Sequence, residues 1–130
     1  MSLFEDLHDQ AMHHALLAEK AKAEGEADRS LQHLELAFQA EAKAAASVES
    51  IPSAEPMRAM LHRSAAALAL DCRKYEKAIE FALSGIAGNP SADIFNELKE
   101  IHRKASSKRA EDLHQPSSPI PERGGADQEF

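Results

Sequence analysis

Cysteine is nearly missing from this sequence. Cys72 is the only one among 130 residues, so no intramolecular disulfide can form. A thiol left free in an oxidising compartment is a liability, and a reducing, cytoplasmic setting is expected. Long apolar runs are missing too, and none approaches membrane-spanning length. The amino-terminal MSLFEDLHDQ is acidic where a secretory signal would be positive and then apolar, so neither export nor a membrane partner is expected. Aromatic residues are few, with five Phe, one Tyr and no Trp, and no segment alternates with period two, which excludes a sheet. There is no glycine-rich phosphate loop. Positive charge is also short: the net charge of -7 works against general nucleic-acid binding, which needs clustered Lys and Arg to neutralise phosphates.

What is present favours helices. Hydrophobic residues make up 43% of the chain and charged ones 28%, as in one water-soluble domain, and the apolar share leans on alanine and leucine. Ser2 and Glu5 have capping-box spacing, and Phe4, Leu7, Ala11, Ala15 and Ala18 recur at helical intervals, predicting a first helix from Leu3 to about Glu24. Gly25 interrupts it. Asp28 is placed to cap a second helix with the stripe Leu31, Leu34, Phe38, Ala42 and Ala45. Glu49 to Pro56, with two prolines, reads as a loop. A third helix carries Met57, Leu61, Ala65, Leu68 and Cys72. The fourth carries Tyr75, Ala78, Ile79, Ala82 and Ile86, and stops at Gly88, Asn89 and Pro90. Ser91 caps a fifth helix, expected to reach Ala105, with Ile94, Phe95, Leu98 and Ile101. The prediction is an all-α domain over residues 1–108 and a disordered tail over 109–130, where proline, glycine, serine and charge replace the apolar period.

The segment KYEKAIEFALSGIAGNP resembles the second half of a tetratricopeptide repeat, commonly written GDYDEAIEYYQKALELDP. Tyr75 falls on the consensus tyrosine, Ala78 on the small residue of the second helix, Ile79 and Glu80 on the residues after it, and Pro90 on the closing proline. Ala66 falls where the first helix of the repeat needs a small residue. Over residues 11–42 a weaker match places Leu17, Ala18, Gly25, Ser30, Leu34 and Ala37, and the turns at Gly25 and Arg73 lie further apart than the roughly 34 residues of a regular array. The stretch from His62 to Pro90 also resembles small bacterial proteins of this type whose function is unassigned. The resemblance implies two antiparallel helical hairpins closed by a capping helix, and a protein-binding or scaffolding module rather than an enzyme.

By the same resemblance the first helix of each hairpin lines a groove for a peptide or a partner helix, and the groove residues are Met12, Glu19, Met60, Arg63, Ala67 and Leu70. Ala67 stands where the carboxylate clamp of that family has asparagine, so binding of chaperone tails is not implied. Two repeats are few for a stack in which each unit covers its neighbour's apolar face, which leaves a homodimer open.

Other candidates are weaker. EDLH occurs twice, and Glu5 and His8 on one helical face have the spacing of a di-iron carboxylate ligand pair, giving an alternative reading as a small metal-binding protein. Such sites also need two further inward-facing glutamates and long parallel partners, whereas the second EDLH puts His114 just before Pro116 at the start of the tail, and no cofactor is expected. His13 and His14 are adjacent and diverge by about 100 degrees, so one helix cannot chelate with both. His33 and His62 read as polar-face or boundary residues. Cys72 reads as a small hydrophobe. Lys99, Arg103, Lys104, Lys108 and Arg109 form the one basic run, which complements the dipole of the last helix and is the only place for a third reading, contact with nucleic acid. In the tail, Pro116 and Pro119 make a minimal PxxP, and Phe130 is a candidate docking residue.

Overall fold

The computed structural model describes residues 2–114. The described residues form five α-helices and no strand: α1 (Leu3–Ala23), α2 (Ala27–Val48), α3 (Met57–Asp71), α4 (Tyr75–Ile86) and α5 (Ala92–His114), with one 3-10 turn at Pro52–Ala54 between α2 and α3. The all-α expectation holds. Residues 109–114, expected to belong to the tail, continue α5. The rest of that stretch, with Pro116, Pro119 and Phe130, lies outside the described residues.

The capping box forms as the sequence spells it. Ser2 N donates to Glu5 Oε1 at 3.1 Å, and Glu5 N donates to Ser2 Oγ at 3.4 Å. The α2 start differs from the expectation: the cap is Glu26 rather than Asp28, without a side-chain bond, and Asp28 lies in the first turn, where its charge still meets the positive end of the helix dipole. Ser91 Oγ accepts from Ile94 N at the head of α5.

Helices α1 and α2 form an antiparallel hairpin. Ser30 Oγ donates to Ala18 O, His14 meets His33, and His8 meets Glu41, so the paired positions move down α1 as they move up α2. Helices α3 and α4 do the same, with Arg58 reaching Ser84 and His62 packing on Phe81. Helix α5 then packs on α4 and returns to α3.

Both hairpins turn through the same device. Glu26 N donates to Ala21 O (2.9 Å) and Gly25 N to Lys22 O. In the second hairpin, Lys74 N donates to Ala69 O (2.8 Å) and Arg73 N to Leu70 O. This is the Schellman ending, in which one residue takes the left-handed region. Gly25 does so at φ 77 and Arg73 at φ 61.

The core is built largely from alanine. Ala11, Ala37, Ala44, Ala59, Ala66, Ala78 and Ala82 are fully buried, and these small side chains let the helix axes approach. Gly85 carries the same logic furthest, since a Cβ there would lie 2.9 Å from Leu98 Cδ2 and 3.2 Å from His62 Cβ. The buried face of α2 is rotated from the expected stripe: Ala37, Phe38, Glu41, Ala44, Ala45 and Val48 face inward, while Leu31 is exposed. Met57 and Phe95, also assigned to apolar stripes, are partly exposed.

Two polar residues of α3 are buried. His62, expected at a boundary, is fully buried, with its Nδ1 donating to Arg58 O at 2.8 Å and Nε2 unpartnered. Its register explains this, because it lies between Ala59 and Ala66 on the inner face. Arg58 fastens three segments: Nε donates to Glu49 O (2.6 Å), one terminal nitrogen to Ser84 O (2.9 Å) and the other to Glu55 Oε2 (3.4 Å). Glu55 also accepts from Ala59 N and Asn89 N, which binds the α4–α5 turn to the start of α3.

Candidate functional site

The α3 residues assigned to a groove, Met60, Arg63, Ala67 and Leu70, are spaced to fall along one stripe. Met60 is exposed, and the other three are half-buried. Arg63 does not face an open groove. It is bonded to Glu97 of α5, so an ion pair crosses the stripe between the two helices. Past that bridge the stripe opens into a cleft of about 670 Å³ between the α3–α4 turn and the second half of α5.

Leu70 is the groove residue that lines this cleft. Beside it stand Asp71, Arg73 and Tyr75 from the turn, and Arg103, Lys104, Ser107 and Lys108 from α5, with Glu111 and Asp112 further along the helix. The structure thus brings together two features that were separate in the sequence, the α3 stripe and part of the basic run. Arg103 is already engaged by Glu100, with Nε donating to Oε1 at 3.0 Å. Among the described residues Arg73, Lys104 and Lys108 form no ion pair. Partial burial raises the Asp71 carboxyl above its ordinary value, with Lys22 of α1 opposing. The signal for Arg73 was available in part, since it was legible as a turn residue. That it would share a cleft with α5 was not.

The cleft does not include Met12 or Glu19. Both are exposed on α1, whose main packing partner is α2. Of the basic run, Lys99 lies over the Phe95 ring, 5.4 Å from its centroid, and Arg109 lines a shallower recess with Arg73, Lys74, Tyr75, Glu76 and Lys77.

A second polar cluster sits between α1, α2 and α3. Glu41 is fully buried, and its carboxylate accepts from His8 Nδ1 at 2.8 and 3.1 Å. Burial raises the Glu41 carboxyl above its ordinary value. The His8 bond opposes this most, and the Ser64 hydroxyl and Arg63 guanidinium act in the same direction as His8. Sequence reasoning missed Glu41, although its place between Phe38 and Ala45 on the inner face of α2 was a readable signal of burial. The Glu5 and His8 pair is not assembled as a ligand set, because Glu5 caps α1 while His8 turns to Glu41. Among the described residues no three or more His, Cys, Asp or Glu side chains converge to hold a metal. Cys72 is half-buried, and burial pushes its thiol up to about 11, which suppresses the thiolate needed for nucleophilic attack.

The chain matches no family model, no curated protein and no solved structure. No helix of the described residues is long and apolar enough to cross a membrane.

Proposed function

We propose that this protein is a protein-interaction module that holds an acidic peptide segment of a partner in the cleft between the α3–α4 turn and α5. The observation that carries the reading is Arg73. Its backbone sits in the left-handed region, where a residue with a Cβ is strained by about 1–2 kcal/mol and glycine is not. Gly25 fills the same position in the first hairpin. A strained arginine at a turn that suits glycine points to a task for its side chain. That side chain lines a cleft with Lys104 and Lys108, in a protein whose overall charge is -7.

The chemistry selects a peptide over a polyanion. Asp71, Glu111 and Asp112 share the cleft with the cations, so a uniformly charged phosphate backbone would meet repulsion along part of its path. A peptide offers carboxylates for Arg73, Lys104 and Lys108, backbone N–H groups for the acids, and apolar side chains for Leu70 and Tyr75. The resemblance to tetratricopeptide hairpins supports the same class of function, although the cleft extends the expected groove past Leu70 instead of following Met12 and Glu19. Selection from a random-peptide display library tests the reading. Enrichment of sequences rich in Asp and Glu is expected, with loss of capture by the Lys104→Glu/Lys108→Glu protein. No enrichment, or equal capture by that variant, would reject it.

A further inference from the structure

We propose that His14 and His33 form a two-imidazole clamp for a divalent transition-metal ion across the α1–α2 hairpin. The two Nδ1 atoms lie 3.1 Å apart, and the rings are stacked at 25° with their centroids 5.3 Å apart. A metal at about 2.0–2.1 Å from each nitrogen, with an angle of about 90–110° between the bonds, requires a nitrogen separation of about 2.9–3.4 Å. The pair already has that spacing; with the centroids 5.3 Å apart the two Nδ1 atoms face each other nearly head-on, so each ring turns to aim its lone pair at the ion as it enters.

The helices hold it there. Ala11, Ala18 and Ala37 are buried around the pair, so α1 and α2 approach closely at this level. The bond from Ser30 Oγ to Ala18 O and the bond between His8 and Glu41 fix the register on either side. Both rings are half-buried, which leaves one side open to solvent for an ion and its waters. His13 is exposed and meets His14 only edge-on, with centroids 5.6 Å apart, so it stays outside the clamp.

Without metal, one Nδ1–H donates to the other Nδ1. Binding needs both Nδ1 lone pairs, so the donor ring moves its proton to Nε2 through solvent and both rings remain neutral. Burial, with the neighbouring His33 and His13, lowers the His14 value and keeps that ring neutral near pH 7. Two imidazoles and water suit Cu(II), Ni(II) or Zn(II), with copper bound most tightly. Because an ion held by one residue from each helix binds the closed hairpin and not the open chain, metal above its dissociation constant raises the unfolding midpoint with the logarithm of its concentration.

The test uses the untagged full chain with Cu(II) as the probe. In the wild type, paramagnetic broadening in amide NMR spectra is expected to centre on His14 and His33 at one ion per chain. His14→Gln and His33→Gln should each weaken binding at least tenfold by calorimetry, while His13→Gln and His102→Gln stay within twofold. Broadening centred on other residues overturns the clamp whether or not any variant folds. Wild-type affinity in either His14→Gln or His33→Gln overturns it as well.

Discussion

Replacing Arg58 with methionine keeps an unbranched, apolar stem of similar reach and removes the guanidinium. Three contacts disappear together: Nε to Glu49 O, one terminal nitrogen to Ser84 O, and the ion pair with Glu55. The side chains of Arg58 and Glu55 are only 9% and 11% exposed, so water does not readily replace what is lost. Glu55 keeps the N–H groups of Ala59 and Asn89 but no cation. Breaking a buried pair by removing one partner costs about 3–5 kcal/mol. For a domain whose total stability is about 5–15 kcal/mol, that is a large share. At about 4 °C per kcal/mol for a domain of this size, the melting temperature should fall by about 12–20 °C. Urea unfolding followed by far-ultraviolet circular dichroism at pH 7 measures it. Arg58→Lys should recover about half the loss or less, because an ammonium lacks the fork that spans two carbonyls. A loss below about 1 kcal/mol for Arg58→Met, the scale of an exposed pair, would show that the fastening of α2, α3 and α4 is not made this way.

Gly88→Ala should be destabilising by about 1–3 kcal/mol in the same urea assay, since its Cβ would collide with Oε2 of the Glu55 carboxylate, a group held by three hydrogen bonds, and lie 2.6 Å from an Arg58 nitrogen. The pH dependence has two opposed parts. Burial lowers the His62 value, so its contribution is full above the unfolded value of 6.5 and is lost as pH falls through the folded value; the Glu41 value is raised, so its contribution is full below the unfolded value of 4.5 and is lost as pH rises through the folded one. Glu41→Gln removes the second part, and its stability should fall more steeply than the wild type's from pH 6.5 to pH 5. A shallower fall would mean that the Glu41 carboxyl is not raised, and no fall at all in the variant would mean that His62 does not resist protonation. Cys72, with its thiol near 11, should be alkylated by iodoacetamide at pH 8 at least tenfold more slowly in the folded chain than in urea.

Local signals were legible in the sequence. The Ser2 and Glu5 cap, the break at Gly25 and the stop at Gly88 to Pro90 depend on neighbours a few residues apart, and helical periodicity located all five helices. The orientation of α2 was harder, because a stripe of alanines has little amphipathic contrast and Leu31 competed with Glu41 for the inner face. Burial of Glu41 and His62 could be read from register once the face was known, but their partners could not. His8 pairs with a residue on the next helix, and Glu55 reaches Asn89 across two helices, so neither spacing is a local pattern. The same limit hid the cleft. Leu70, Arg73 and Lys104 meet only because α5 returns to α3, and the ion pair between Arg63 and Glu97 that closes the groove upstream is of the same kind.

Arg73→Gly tests the central claim most directly, because stability and binding should move in opposite directions. Relief of the left-handed strain, less the extra freedom glycine gives the unfolded chain, should leave the fold about 0.5–1 kcal/mol more stable in urea. Loss of the guanidinium should weaken binding of a selected acidic peptide at least tenfold by fluorescence polarisation. A variant that is stabilised and binds the peptide as the wild type does would contradict the assignment of the cleft.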